Sequence, residues 1–181
     1  IPEGIKPNYR LPESNIGFNA QKEAAFWAKD FDDTLWLDAK VVKKELSGWN
    51  LLIERPIPMW KDYGLKDYVK VERKSDTLFV AYLPYNAQVN PYIKLKSKAG
   101  SVDIRTDNYR GGGVPNVYTE YITKSGIQEF EAWGWMNGHQ VLYTIPKDVE
   151  VLELKFRETG YDTEFAGAFS CDDEFYNELW N

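Results

Sequence analysis

The sequence is poor in the residues from which reactive sites are most often assembled. Its 181 residues include one cysteine, Cys171, and one histidine, His139. A lone cysteine excludes an intrachain disulfide, and one Cys with one His cannot complete a tetrahedral zinc site, so neither a metal nor a cofactor is expected. His139 has no nucleophile motif to serve in a triad and, following Asn137-Gly138, is expected beside a turn. Basic residues are outnumbered, 22 against 28 acidic ones, for a net charge of -6. An acidic chain without a basic run is a poor partner for nucleic acid or anionic membranes. No apolar run approaches the ~20 residues of a membrane helix, which argues against membrane insertion. Repeats and low-complexity tracts are also missing. Ile1-Pro2-Glu3-Gly4 shows neither the basic nor the apolar region of a signal peptide.

Aromatic residues, in contrast, are abundant: 7 Trp, 12 Tyr and 9 Phe make up 15% of the chain. Such a load suits a β-rich core, a large interface or a sugar-binding surface. From Asp76 onward the pattern has period two. Leu78, Val80 and Tyr82 alternate with Thr77, Phe79 and Ala81, and Ile93 and Leu95 with Lys94 and Lys96. Further alternating stretches are Val102 with Ile104, Val117–Thr123, Ile127–Trp133, Gln140–Ile145 and Glu150–Phe156. Turn signals separate them at Lys98-Ala99-Gly100, Gly111-Gly112-Gly113, Lys124-Ser125-Gly126, Asn137-Gly138 and Pro146-Lys147-Asp148. Short alternating strands at close intervals predict a mainly β fold, an antiparallel β-sandwich.

Helical segments are predicted only near the two ends. Asn19 is expected to cap a helix over Ala20–Lys29. Ser170 is expected to cap another, with Asp172, Asp173 and Glu174 in its first turn, where the helix dipole favours acids. In that second helix Phe175 pairs with Leu179 and Tyr176 with Trp180 at i,i+4. The prolines of Arg55-Pro56-Ile57-Pro58 exclude a strand centre, so a connector and a boundary near 61–70 are expected.

Candidate chemistry is sparse. Gly111-Gly112-Gly113 lacks the Gly-Lys-Ser/Thr ending of a phosphate loop and suits a hairpin loop better. The carboxylate pairs Asp32/Asp33, Asp162/Glu164 and Asp172/Asp173/Glu174 are formally glycosidase-like, yet turns and helix caps explain the first and last. Trp133, Trp135 and Tyr143, with Tyr118 and Tyr121, are candidates for a platform on which sugar rings stack. The competing expectation places Trp133 and Trp135, which share a strand parity, on the core face.

A group of segments resembles bacterial α-L-rhamnosidases, which are multidomain glycoside hydrolases. They are Arg105-Thr106-Asp107-Asn108-Tyr109, Tyr118-Thr119-Glu120-Tyr121, Phe130 to His139, and Phe156-Arg157-Glu158-Thr159-Gly160-Tyr161-Asp162-Thr163-Glu164-Phe165 leading to Phe169–Trp180. The resemblance covers roughly residues 30–181 and is most specific in the C-terminal third, where Phe169-x-Cys171-x-Asp173-x-x-Tyr176-Asn177-x-Leu179-Trp180 stands. It implies a concanavalin-like or jelly-roll-type sandwich lying directly before an (α/α)6-barrel catalytic domain. The implied division is 1–65 as an N-terminal arm and the tail of a preceding jelly-roll domain, 66–168 as the sandwich, and 169–181 as the start of the barrel. The family's general acid and base lie beyond that point, so no catalytic residue is carried over, and the piece is expected to be inactive alone. Phe165, Phe169, Phe175, Leu179 and Trp180 are the expected docking residues toward the barrel, the bland alternative being that Phe165 and Phe169 belong to the sandwich core. Rhamnose-containing glycans are the implied ligands of the parent, and a carbohydrate-binding module with its own aromatic site is the rival reading. A periplasmic or extracellular location is favoured over a cytoplasmic one.

Overall fold

The computed structural model describes residues 16–23, 29–41, 53–107, 118–164 and 166–180. The Gly111–Gly113 loop, Val117, Phe165 and the middle of the expected Ala20–Lys29 helix lie outside the described residues.

The fold is mainly β, a curled mixed sheet with one short C-terminal helix. Nine strands are formed: β1 Ile16–Asn19, β2 Trp60–Asp67, β3 Lys70–Arg73, β4 Leu78–Ser97, β5 Gly100–Thr106, β6 Tyr118–Thr123, β7 Gly126–Glu131, β8 Met136–Thr144 and β9 Glu150–Tyr161. They are followed by α1, Glu174–Trp180. The sheet order is β1-β6-β5-β8-β4-β9-β2, with β3 and β7 also pairing β4. Residues 16–19 and 60–65, expected in the N-terminal segment, thus form strands of this same sheet.

The 20-residue strand β4 organises the molecule. Leu78–Val89 pairs with β8, and Val89–Lys96 pairs with β9. β3 flanks the first half and β7 the second. The register shifts between Tyr82 and Ala87, where Pro84, Tyr85 and Asn86 are exposed. A bend there lets one strand serve two layers: β1-β6-β5-β8-β4-β3 on one side and β7-β4-β9-β2 on the other. Sequence signals such as Pro84 and Asn90-Pro91 read as breakers, yet the ladder continues past them because both flanking strands keep it paired.

The core fills the space between the layers. Ala81, Leu83, Val89, Ile93 and Leu95 of β4 join Val102, Ile104, Val141, Tyr143 and Phe156, all buried. Tyr121 of β6 and Phe130 of β7 stack across it with ring centres 4.3 Å apart and planes within 6°. Burying a large apolar side chain is worth roughly 1.5–3 kcal/mol, so this cluster dominates stability. Tyr143 and Tyr68 share a buried hydroxyl–hydroxyl hydrogen bond of 2.7 Å. The Tyr143 hydroxyl also lies 3.2 Å from the Tyr92 carbonyl and 3.3 Å from that of Lys155, tying β8 to the opposite layer.

Three local expectations are corrected. β1 runs parallel to β6, so the sandwich is mixed rather than wholly antiparallel. Asn137-Gly138 is no hairpin turn: both residues lie inside β8, paired with Gln88 and Ala87, and His139 is a strand residue. Glycine is needed there for close approach, because Asp107 Oδ1 accepts the backbone N–H groups of His139 (2.8 Å) and Gln140 (3.0 Å). A methyl group at 138 would sit 2.5 Å from that oxygen and 2.9 Å from Thr106 Cβ. Gly138→Ala should therefore destabilise by about 1–3 kcal/mol, as overpacking does; an unchanged denaturant midpoint would count against the clash.

The third correction concerns the helix cap. Ser170 does not cap α1; Asp173 does, its Oδ1 accepting the Phe175 N–H at 3.0 Å. Asn177 then braces the preceding turn, its Oδ1 accepting from the Cys171 N–H and its Nδ2 donating to the Cys171 carbonyl, both at 2.8 Å. Near the N-terminus Asn19 does cap, but over the short 3-10 turn Ala20–Lys22. The turns at Lys98-Ala99, Lys124-Ser125 and Pro146–Asp148 stand where expected, Gly126 adopting φ +99.

Candidate functional site

The aromatic candidates separate completely. β7 ends at Glu131, so Trp133 and Trp135 fall in the β7–β8 connector and lose the strand parity assigned to them. They are 73% and 54% exposed, which overturns the core-face expectation. Trp133 lies against Phe18 of β1 at 5.1 Å, and Phe18 in turn stacks on Tyr121 and Phe130. The connector thereby secures the edge strand: a side chain on Gly134 would collide with Ile16 Cδ1 at 2.5 Å. Tyr143 belongs to no such surface. It is fully buried, so its place in a sugar platform is corrected to a place in the core. Tyr121 is likewise buried, its hydroxyl donating to Gln128 Oε1 at 2.9 Å.

The acidic pairs mostly serve structure. Asp32 Oδ1 accepts the Thr34 N–H at 3.0 Å, and Asp33 accepts the Trp36 N–H through its carbonyl at 2.8 Å, a turn as expected. Asp162 pairs with Lys61 at 2.8 Å on the surface. His139 is exposed, 3.8 Å from Asp107. Among the described residues no cluster of three or more His, Cys, Asp or Glu side chains is arranged to hold a metal.

Of the expected docking residues, Phe169, Phe175, Leu179 and Trp180 are 45%, 64%, 71% and 48% exposed, and Phe165 lies outside the described residues. No residue of α1 is buried, and its apolar side chains mainly meet one another, as in the 5.9 Å contact of Phe169 with Trp180. The exposure of Phe169 removes it from the sandwich core.

A polar constellation on the outer face of β7-β4-β9-β2 escaped the sequence reading. Alternation places Glu129 and Glu131 of β7, Tyr92 of β4, Arg157 of β9 and Leu65 of β2 on one side of this layer. Together with Phe130 they line an open groove of ≈ 320 Å³. Arg157 is held from both flanks. Its Nε and Nη2 donate to Glu131 at 2.7 and 3.1 Å, and its Nη1 donates to Asp62 at 2.7 and 2.9 Å. Asp62 is fixed in turn by the β2 bulge, where Gly64 at φ +81 donates its N–H to Asp62 Oδ1 at 2.7 Å. Tyr92 donates to Glu129 Oε2 at 2.6 Å.

The electrostatics follow from these contacts. Arg157, then the Gly64 N–H, draws the Asp62 carboxyl below its usual range. Burial, then the Glu129 hydrogen bond, pushes the Tyr92 phenol well above its own. The Glu131 and Asp62 partners hold Arg157 firmly protonated. On the opposite side of β9, burial raises the Glu158 carboxyl, but hydrogen bonds from Lys66 and Tyr85 outweigh it and leave a net depression. The same Glu158 contact pushes Tyr85 up to about 12. Pairing across three strands cannot be read from a sequence; the only local trace was the Glu129-x-Glu131 spacing on an alternating run.

By sequence, no family profile and no curated protein matches this chain. By structure, it is similar to two solved enzymes. One is a GH78 family rhamnosidase of Bacillus sp. GL1, with 19% identity over 61% of this chain and 13% of that one, at a TM-score of 0.48. The other is an α-L-rhamnosidase of Dictyoglumus thermophilum, with 20% identity and a TM-score of 0.65. That second likeness covers 91% of this chain and 20% of the enzyme's, so the fold seen here is the fold of about one fifth of an α-L-rhamnosidase.

Proposed function

We propose that this chain is a non-catalytic β-sandwich accessory unit of an α-L-rhamnosidase, a spacer and docking surface for an (α/α)6-barrel that hydrolyses terminal α-L-rhamnose. The observation that carries the reading is the fold likeness to an α-L-rhamnosidase over 91% of the chain. Supporting it, α1 presents Phe175, Leu179 and Trp180 to solvent, an apolar strip that a neighbouring domain would cover. In this reading residues 66–168 form the sandwich, completed by strands from the 1–65 segment, and 169–181 lead into the barrel. Interdomain contacts of ~600–1,500 Å² are usual, and an apolar one holds two domains rigidly. The Phe175–Leu179–Trp180 strip, with Phe165 and Phe169, would supply its centre.

Two measurements test this. The purified chain should release no nitrophenol from an aryl α-L-rhamnoside. It should also bind the barrel domain of its parent polypeptide, with binding weakened at least ~100-fold in a Phe175→Asp/Leu179→Asp variant. Turnover by the isolated chain, or equal binding by the variant, would sink the reading.

A second reading is favoured by one specific observation, the 73% and 54% exposure of Trp133 and Trp135. It makes the chain a carbohydrate-binding module whose connector stacks a sugar ring. Saturable binding of rhamnose-bearing oligosaccharides that is lost in Trp133→Ala, with the fold intact, would establish it.

A further inference from the structure

The groove on the outer face of β7-β4-β9-β2 has a composition that selects its ligand by elimination. Asp62, Glu129 and Glu131 contribute three negative charges and Arg157 one positive charge, a local balance of -2. An anion entering the groove meets three carboxylates, so uronates and phosphates are excluded. A cation meets Arg157 at the centre, a like charge that its two carboxylate partners lock in place. A neutral ligand avoids both penalties.

The hydrogen-bonding capacity narrows the choice further. The carboxylates can only accept, and Tyr92 commits its single proton to Glu129. Arg157 directs its Nε and both terminal nitrogens at Glu131 and Asp62, which leaves little of its donor capacity free. What remains open is chiefly acceptor capacity, so the ligand must be rich in donors. Beside these groups stand the Tyr92 ring and the Leu65 side chain, the latter 40% exposed, giving an apolar wall. Hydroxyl groups spaced around a ring with apolar C–H edges meet all these conditions. The volume of ≈ 320 Å³ lies at the low end of ligand pockets, which run ~300–1,000 Å³, and suits one ring better than a chain. The groups are also preorganised: each polar side chain is held by a partner from a different strand, so binding costs little ordering.

We propose that this groove is a saccharide subsite for a single neutral, hydroxyl-rich pyranose ring, gripped by Glu129, Glu131 and Arg157 against Tyr92 and Leu65. It is separate from the Trp133–Trp135 connector and does not rest on the docking reading, which is judged by binding to the barrel.

The test is a titration of the whole chain with neutral methyl pyranosides, with glucuronate and spermidine as charged probes, followed by calorimetry and backbone amide shifts. At least one neutral pyranoside should bind saturably, shifting Leu65, Glu129, Glu131 and Arg157, while both charged probes leave those amides unmoved. Glu129→Gln and Tyr92→Phe should each weaken binding about tenfold or more, as expected on losing a charge-assisted hydrogen bond. Trp133→Ala should leave it unchanged. The proposal is overturned if no neutral pyranoside saturates, if the shifts gather around Trp133 and Trp135, or if either charged probe binds the groove more tightly. Should a groove variant fail to fold by circular dichroism, the shift map of the unaltered chain decides the matter alone.

Discussion

Replacing Phe156 by alanine should cost about 3–5 kcal/mol, a large part of the ~5–15 kcal/mol that holds a typical domain folded. Phe156 is 1% exposed at the middle of β9, paired with Pro91 of β4 on one side and Lys66 of β2 on the other. Its ring lies 5.1 Å from that of Tyr68. No single neighbour can move into the vacated space without breaking a ladder, so the cavity persists and its cost adds to the lost transfer energy. Urea unfolding should show a lower midpoint at an unchanged slope. Phe169→Ala provides the contrast. That ring is 45% exposed beside α1, and its loss should shift stability by under ~1 kcal/mol. If the two variants were equally destabilised, the placement of the core between the layers would be wrong.

The second large effect is a loss of stability in alkali. Burial pushes the Tyr143 phenol well above its usual value, reinforced by the charge that Tyr68 would carry. Burial likewise raises Tyr68. Tyr121 is pushed up to about 12, again mainly by burial. In the unfolded chain all three titrate near ~10. The folded state therefore retains protons that the unfolded state has already lost, and stability falls as pH rises above ~10. Below ~10 the contribution is fully present. Each buried phenol adds a slope approaching ~1.4 kcal/mol per pH unit until its folded-state pKa is reached. Tyr68 and Tyr143 interact, so their protons leave as a coupled pair. Urea midpoints measured on both sides of pH ~10, together with phenolate absorbance, provide the check. Removing one hydroxyl in Tyr68→Phe should flatten the slope while leaving the rest of the curve in place. A stability that stays level well past pH ~10 would contradict the burial of this pair.

Much of the architecture is visible without coordinates because its causes are local. Alternation of apolar and polar residues marked strands at 78–82, 93–96, 102–104, 140–145 and 150–156, and each lies within a strand of the sheet. Gly126 marked a turn because φ +99 strains any other residue. The acids and the i,i+4 aromatic pairs marked α1, since capping and spacing along one helix involve only neighbours in sequence. The choice between Ser170 and Asp173 as its cap was missed, because both satisfy the same local rule and only the position of the first turn separates them.

The candidate site was far less legible. Tyr143 and Trp133 have similar apolar bulk, and period two says that neighbours face opposite sides without saying which side is inward. That choice belongs to the register of pairing with distant strands. Tyr143 is inward because β8 pairs β4 and β5 in the register observed, and Trp133 is outward because β7 stops two residues before it. Arg157 acquires its role only when β9 is laid between partners that bring Asp62 and Glu131 to its two flanks, 95 and 26 residues away in the chain.

The sequence by itself determined a β-rich chain with short turns, little capacity for metal or nucleophilic chemistry, and an acidic-capped aromatic helix at 174–180. Only the tertiary structure decided that β4 runs unbroken past two prolines, that β1 joins in parallel, that Asn137-Gly138 lies within a strand, and that a polar groove forms across three strands. The physical reason is one of range. Backbone conformation and side-chain alternation are set by adjacent residues, whereas facing, continuity and the meeting of charges depend on which strands hydrogen-bond and in what register.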